Sequence, residues 1–558
     1  MGRGSYVLAL GLMALVATVG AETRRQRQVL CKQECGPAID RCVAGGQRRG
    51  RCRAKTLRHC RRQGLQVCAT TTTTLPTTTT TLPGVSVLQH HRNATRDGVY
   101  VDAAFTHAAA TNLHADAGFN GVTKGATYAQ PLYFDGAPTG EPDRVFVATE
   151  ENWVYALDAT TGATLHATQL GPDVTLAQLA QLNSCGNIDP MGVTGTPVID
   201  YASRTLFVDA MTTPDMGATV HHVVYGLSID DLSTRPGWPV DATAVLAAHG
   251  LDFESQFQGE RGALLVLGGT LYVPYGGLAG DCGTYHGWVV GFPLAAPSMV
   301  QAWHTEAAEG GAWAPGGLAS DGTFVYVATG NTSGANTWMG GEAIIRLDPG
   351  PVFTGAAADY FAPTDWQALD ADDVDIGGSG PVLFEVPGAS PSALVVSLGK
   401  NGKAYLLDRG DLGGINDGVT HALVASNEII NAAAAYTTPT ATYVVFKGNG
   451  TNCPGTSGDL TALAIGAAAP PTITTAWCAT QNGTGSPMVT TLDGQRGAIV
   501  WSVGAEGDEQ LHGFDGDTGN QLVGVDTGLS VARFVTPMAA KGRIFVAGDS
   551  AIRAFTSQ

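Results

Sequence analysis

The sequence predicts an all-β fold, an eight-bladed β-propeller of four-stranded blades, closed by an N-terminal strand and preceded by a small disulfide-rich module. Three observations predict it. Alternating apolar runs of strand length recur in eight units of about 60 residues, a spacing typical of radially repeated sheets. Glycine is abundant, at 74 of 558 residues, and long helical periodicity is nearly missing. The openings of the units resemble one another: "AQPLYF" at 129, "GTPVID" at 195, "SGPVLF" at 379, "GSPMVT" at 485 and "VTPMAA" at 535.

In chain order, residues 1–21 come first. An apolar run from Tyr6 to Val19 follows Arg3 and ends at small residues, the layout of a secretory signal cut after Ala21. The run is too short to span a bilayer and no later stretch is long enough, so the mature protein is expected to be secreted, periplasmic or on the cell surface, with no membrane span.

Residues 22–69 hold Cys31, Cys35, Cys42, Cys52, Cys60 and Cys68. With no CxxC spacing for zinc or haem, they read as a disulfide-stapled module, an α-hairpin in outline, and six cysteines permit 15 pairings. Nested bridges, Cys31 to Cys68 outermost, suit a hairpin around "AGGQRRG". Residues 70–84, "TTTTTLPTTTTTLPG", bury nothing and read as an extended tether.

The propeller occupies 85–558. Its last unit has only three strands before the chain ends, and "TNLHADAGF" (111–119) is expected to supply the fourth, removing two exposed edges. The segment 415–480 is the least regular, which leaves seven or nine blades open. Cys185 and Cys282 fall in neighbouring loops and Cys453 and Cys478 within one blade, so two further disulfides are expected.

Charge divides at the tether. The first 84 residues carry 14 Lys and Arg against three acids, a net of +11; the rest carry 17 against 46, a net of −29. So acidic a body argues against a nucleic-acid partner. The basic module is either solvated or a contact for an anionic surface polymer. The pairs His90-His91 and His221-His222 read as packing or surface features, because adjacent strand residues point to opposite faces. No GxSxG, HExxH or phosphate loop occurs, against serine hydrolase, zincin and nucleotide enzymes.

The segment "VYALDATTGATLH" (154–166) resembles the repeat of pyrroloquinoline quinone (PQQ) propellers. Three further stretches resemble the quinoprotein alcohol dehydrogenases within that group. "GGAWAPGGLASDGTFVYVATGN" places Trp313 eighteen residues before Asn331; the resemblance implies that Trp313 stacks on the quinone and Asn331 binds its metal. "LGKNGKAYLLDR" is similar to the family motif whose lysine, here Lys400, meets the quinone oxygens. "PTDWQALDADDVDIGGSGPVLF" (363–384) lies where the family carries its catalytic aspartate. Asp373 matches that residue and Asp375 the additional metal ligand of lanthanide-using members, with Asp365 or Asp370 as alternatives in this register.

These residue types suit the chemistry. A flat ortho-quinone with three carboxylates needs an aromatic face, a cation and a metal such as Ca²⁺ or a lanthanide. A nearby aspartate serves as general base toward the substrate hydroxyl. The implied activity is oxidation of an alcohol or sugar hydroxyl, with electrons leaving to an external acceptor, because no haem site is present. Three departures stand out: the family's adjacent Cys-Cys pair is absent, its metal-binding glutamate in blade 3 is replaced by Asp281 in "GGLAGDCGTYHGW", and its tryptophan-rich floor segment is not found. Two other readings use the same ring, a non-enzymatic binding scaffold and a polysaccharide lyase or glycosidase with two carboxylates facing across the funnel.

Overall fold

The computed structural model describes residues 85–558; the signal segment, the Cys-rich module and the tether lie outside the described residues. Eight sheets follow one another in chain order, each built from four antiparallel strands, some with an added short one. Blade 1 comprises Leu132–Phe134, Arg144–Ala148, Trp153–Asp158 and Thr164–Gln169. The chain therefore forms eight blades, and the irregular stretch 415–480 resolves into the outer strand of blade 5 (Thr420–Leu423) and the four strands of blade 6, Ala434–Thr437 through Thr472–Ala479.

Burial follows position within a blade. Second strands such as Thr205–Thr212 are buried throughout, because both of their faces pack on neighbouring sheets. Outer strands such as Thr164–Gln169 are almost wholly exposed and carry polar residues. The core is accordingly a series of apolar layers between blades. Leu206, Val208 and Ala210 of blade 2 pack with Phe146, Ala148 and Val154 of blade 1, and Val327 and Ile345 of blade 4 pack with Leu265 and Val289 of blade 3.

Closure follows the expectation from the sequence. Blade 8 has Met538–Ala540, Arg543–Gly548 and Ala551–Thr556, and its last strand is completed from the N-terminal side by pairing His114 with Thr556 and Ala115 with Phe555. Both expected disulfides form, Cys185–Cys282 and Cys453–Cys478, with Cα–Cα distances of 5.8 and 5.6 Å.

A second closing device has no counterpart in the sequence reading. The segment from Val87 to Asp102 crosses the ring and bonds to every blade in turn. Val87 pairs with Tyr133 of blade 1, Leu88 accepts from Ile199 of blade 2, and Ala94, Thr95, Asp97 and Gly98 accept from Ser320, Leu383, Ala435 and Val489 of blades 4 to 7. The Arg96 guanidinium donates to Leu264 O beside blade 3, and Asp102 accepts from Gly542 N of blade 8. This plug also corrects the strand argument for His90-His91. His91 has φ of 53°, and the two rings stack at 4.2 Å, both buried. By contrast, His221 and His222 do sit on a strand and diverge as expected, toward Asp241 and the buried Asp209.

Candidate functional site

Strand polarity decides where side chains can meet. In an up-and-down blade, the loops between strands 2 and 3 and those between successive blades open on the same face. Asp281, Asn331 and Lys400 lie in the 2–3 loops of blades 3, 4 and 5, and Trp313, Asp373 and Asp375 in the connections into blades 4 and 5. All six line one cavity of about 230 Å³, together with Arg261, Tyr285 and the backbone of Gly277–Asp281.

The indole of Trp313 lies on bare backbone. A Cβ at Gly330 would sit 3.1 Å from Trp313 Nε1 and 2.2 Å from Asp375 Oδ1, and one at Gly378 would sit 3.1 Å from Trp313 Cη2. Only glycine leaves room for the ring and the carboxylate together. Above this floor, Lys400 Nζ is 5.7 Å from the Trp313 ring centroid.

Lys400 is fixed at both ends. Its backbone N donates to Asp375 O at 2.7 Å. Its ammonium lies 2.6 Å from Asp373 Oδ1 and 2.6 Å from Asp375 Oδ2. Burial disfavours the charge, but Asp375 and then Asp373 more than offset it, so the lysine is held above its usual range and stays charged. The two aspartates differ in depth: the Asp373 side chain is 62 % exposed and that of Asp375 only 2 %. Burial raises the Asp375 carboxyl despite Lys400 and despite the hydrogen bond from Asn331 N at 2.6 Å. The structure thus puts Asp375 on the cavity floor and Asp373 on the rim.

Asn331 presents its side chain to the same space. Its Nδ2 donates to Glu309 Oε2 at 3.2 Å. Asp281 accepts from Tyr285 OH at 2.7 Å on the opposite wall. The alternatives lie elsewhere: Asp365 pairs with Lys403, and Asp370 accepts from Thr332 N and Oγ1 behind the loop.

Three residues escaped the sequence reading. Glu309 stands four residues before Trp313, and burial with the nearby carboxylates of Asp281, Asp370 and Asp373 pushes it up. Glu342 lies fully buried behind Asp375, where burial and that carboxylate push it up to about 10. Arg261 lies 5.9 Å from the Trp313 centroid. Its sequence signal was scarcity, since the acidic body has few cations to place.

The wall Gly277–Asp281 is strapped from behind. Cys282 is joined to Cys185, and a Cβ at Gly280 would lie 3.1 Å from Cys185 Sγ. A bridge between two blades therefore stands beside the cavity in a chain with no adjacent cysteines.

No protein-family model matches the sequence, and no curated protein matches it. Solved structures do. The quinohemoprotein alcohol dehydrogenase of Comamonas testosteroni aligns with a TM-score of 0.57 at 13% identity, over 85% of this chain and 80% of that one. The enzyme ADHIIG of Pseudomonas putida HK5, also a quinohemoprotein alcohol dehydrogenase, aligns at 0.59 and 12%, over 85% and 80%. A europium-containing methanol dehydrogenase aligns at 0.56 and 15%, over 84% and 90%. The chain has the fold of the quinoprotein alcohol dehydrogenases. At these identities the likeness establishes the fold, and the chemistry has to be argued from the cavity.

Proposed function

We propose that this propeller is a quinone-dependent dehydrogenase, exported by its N-terminal signal, that oxidises an alcohol or sugar hydroxyl and passes the electrons to a separate acceptor. The observation that carries this is the convergence of Trp313, Lys400 and Asp375 on one cavity. The cavity they line has a volume of about 230 Å³.

A planar ortho-quinone such as PQQ fits these residues in kind. The glycine-floored indole offers an aromatic face, and Lys400 offers a cation already held in place. When bound, the quinone supplies the two-electron acceptor for hydride leaving the substrate carbon. Asp375, in place of the Asp373 that the sequence resemblance implies, is the group proposed to take the hydroxyl proton, because burial raises its carboxyl and makes it a stronger base than the exposed Asp373. Lys400 steadies negative charge building on the ligand's oxygen. Asp373 holds the lysine from the solvent side.

The metal half fits only in donor type. Asn331, Asp281, Asp375 and Glu309 provide the oxygen donors that Ca²⁺ and lanthanides prefer. Among the described residues, however, no three Asp, Glu, His or Cys side chains come together as a metal site, and the ammonium of Lys400 spans Asp373 and Asp375. No step is assigned to a metal.

The test is turnover by the purified full chain with PQQ, a primary alcohol and an artificial electron acceptor, with and without Ca²⁺ or La³⁺. Alcohol-dependent reduction of the acceptor, lost in Asp375→Asn, supports the proposal. Absence of turnover under every metal condition, with PQQ bound, overturns the dehydrogenase reading and leaves the binding scaffold.

A further inference from the structure

The face of the ring opposite the cavity holds a groove of about 490 Å³. Its position follows from strand polarity. The turn between strands 1 and 2 of blade 7 (Gly494, Gln495), the turn after strand 3 of blade 5 (Arg409) and the ends of the innermost strands of blades 5 and 6 all open on that side. The floor is the part of the plug between Arg92 and Asp97. The proposed dehydrogenase chemistry uses none of this space.

One wall of the groove is an open strand edge. Val99–Val101 is the last strand of the blade 7 sheet and runs parallel to Met488–Thr491. Val489 N donates to Gly98 O, and Asp102 N donates to Thr491 O. In a parallel ladder of that register Tyr100 turns its backbone toward blade 7, while Val99 and Val101 turn theirs away. Val99 N donates to Asp97 Oδ1 at 3.0 Å. Among the described residues, Val101 N and the carbonyls of Val99 and Val101 have no hydrogen-bond partner. The Val101 side chain is 41 % exposed.

The other walls repeat the pattern. Within blade 6, Thr438 N donates to Ala441 O, so the backbones of Ala435 and Thr437 face the ring axis instead. The plug accepts from Ala435 N through Asp97 O, and Thr437 N is left without a partner among the described residues. In blade 5, Leu383 N donates to Thr95 O, and Glu385 N, two residues on, is left in the same way. Such edges alternate donors and acceptors along an extended line. A second extended backbone is the ligand that alternates them at the same spacing.

Charge narrows the choice of ligand. The carboxylates of the groove are already engaged: Asp97 accepts from Asn93 Nδ2, Thr95 Oγ1 and Val99 N, and Glu385 pairs with Arg409. Arg92 is half-buried in the floor, and among the described residues its side chain makes no hydrogen bond and no ion pair. In a body of net charge −29, a free guanidinium beside an apolar strand edge suits an incoming carboxylate.

We propose that this groove binds an extended segment of a partner polypeptide, added as a strand to the open edge at Val101, with an acidic side chain of that segment on Arg92. The plug separates the groove from the cavity over Trp313, so the peptide and a planar ligand do not compete. The probe is a displayed library of random linear decapeptides, selected on the immobilised full chain and in parallel on Val101→Pro. Proline removes the N–H and blocks the edge, and it is tolerated where that N–H faces outward from an edge strand, so the variant is expected to melt with the wild type. Peptides carrying Asp or Glu are expected to enrich on the wild type alone. The best of them, resynthesised, is expected to lose about tenfold or more in affinity on Val101→Pro and about tenfold on Arg92→Gln. N-methylation of its alternate backbone amides, with every side chain kept, is expected to cost about tenfold in at least one of the two registers. Should Val101→Pro not fold, the N-methylated peptides on the unaltered chain decide. No enrichment on the wild type, the same peptides from both chains, or undiminished binding of both N-methylated forms overturns the proposal. Displacement of the peptide by PQQ would put it in the cavity over Trp313 and overturn it as well.

Discussion

Lys400 Nζ sits 2.6 Å from Asp375 Oδ2, an oxygen on a side chain that is 2 % exposed, and the pair forms the charged floor of the cavity. A lysine before an Asn-Gly turn would ordinarily be solvated; here the turn exists to aim it inward. Gly402 at φ 68° and the bond from Lys403 N to Asn401 Oδ1 at 3.0 Å fix the reversal that follows it.

Breaking that pair from one side is the costly change. Lys400→Met leaves the Asp375 carboxylate buried without its partner and should lower stability by about 3 kcal/mol. Adding Asp375→Asn should restore more than half of the loss. Urea unfolding of the two single variants and the double variant closes the cycle. Additive effects would contradict the pairing.

Gly330→Ala puts a methyl group 2.2 Å from Asp375 Oδ1 and 3.1 Å from Trp313 Nε1. Overpacking of this kind costs about 1–3 kcal/mol. The more telling outcome is a shift in tryptophan emission as the indole leaves its floor, together with lost affinity for any planar ligand.

Glu342 sets a pH dependence. Its carboxyl is pushed from its ordinary value near 4.5 up to about 10 by burial and by Asp375. A raised acid binds its proton more tightly in the folded state. Its contribution is therefore greatest below about 4.5 and is lost progressively as pH rises toward 10. Glu342→Gln keeps the shape without the titration. The denaturant midpoint of the variant should exceed that of the wild type at pH 9 and approach it at pH 5.

The plug works in the opposite sense. Burial drops His91 from 6.5 to about 4, so the folded ring favours the neutral imidazole. That stability is present above about 6.5 and is lost as pH falls toward 4. His91→Gln should flatten the acid side of the profile. Deleting residues 85–102, which bond to all eight blades, should abolish cooperative unfolding followed by circular dichroism; a truncated chain that melts like the full one would contradict the role given to the plug.

The ring was legible in the sequence because each blade repeats the same local pattern, and the closing strand at His114 was legible because it resembles a fourth strand elsewhere. The cavity was legible only where a residue stands beside a recognisable turn, as Trp313, Asn331 and Lys400 do. Asp373 and Asp375 were identified as a pair, but their depths were not, because one sits in a left-handed turn at φ 52° on the rim while the other folds under Gly330. Glu309 and Glu342 were missed because no spacing announces them, and Arg261 had only the scarcity of cations in the acidic body to mark it. The plug was missed for the same reason, since its bonds run from backbone atoms that every residue has.

The central claim is that the cavity over Trp313 is a slot for a planar quinone. The most direct measurement is titration of the purified full chain with PQQ, followed by quenching of tryptophan fluorescence and by calorimetry. The account predicts saturable binding of one PQQ per chain, with quenching lost in Trp313→Leu and affinity reduced by about tenfold in Lys400→Met. Binding that fails to saturate, or that is unchanged in both variants, would contradict it.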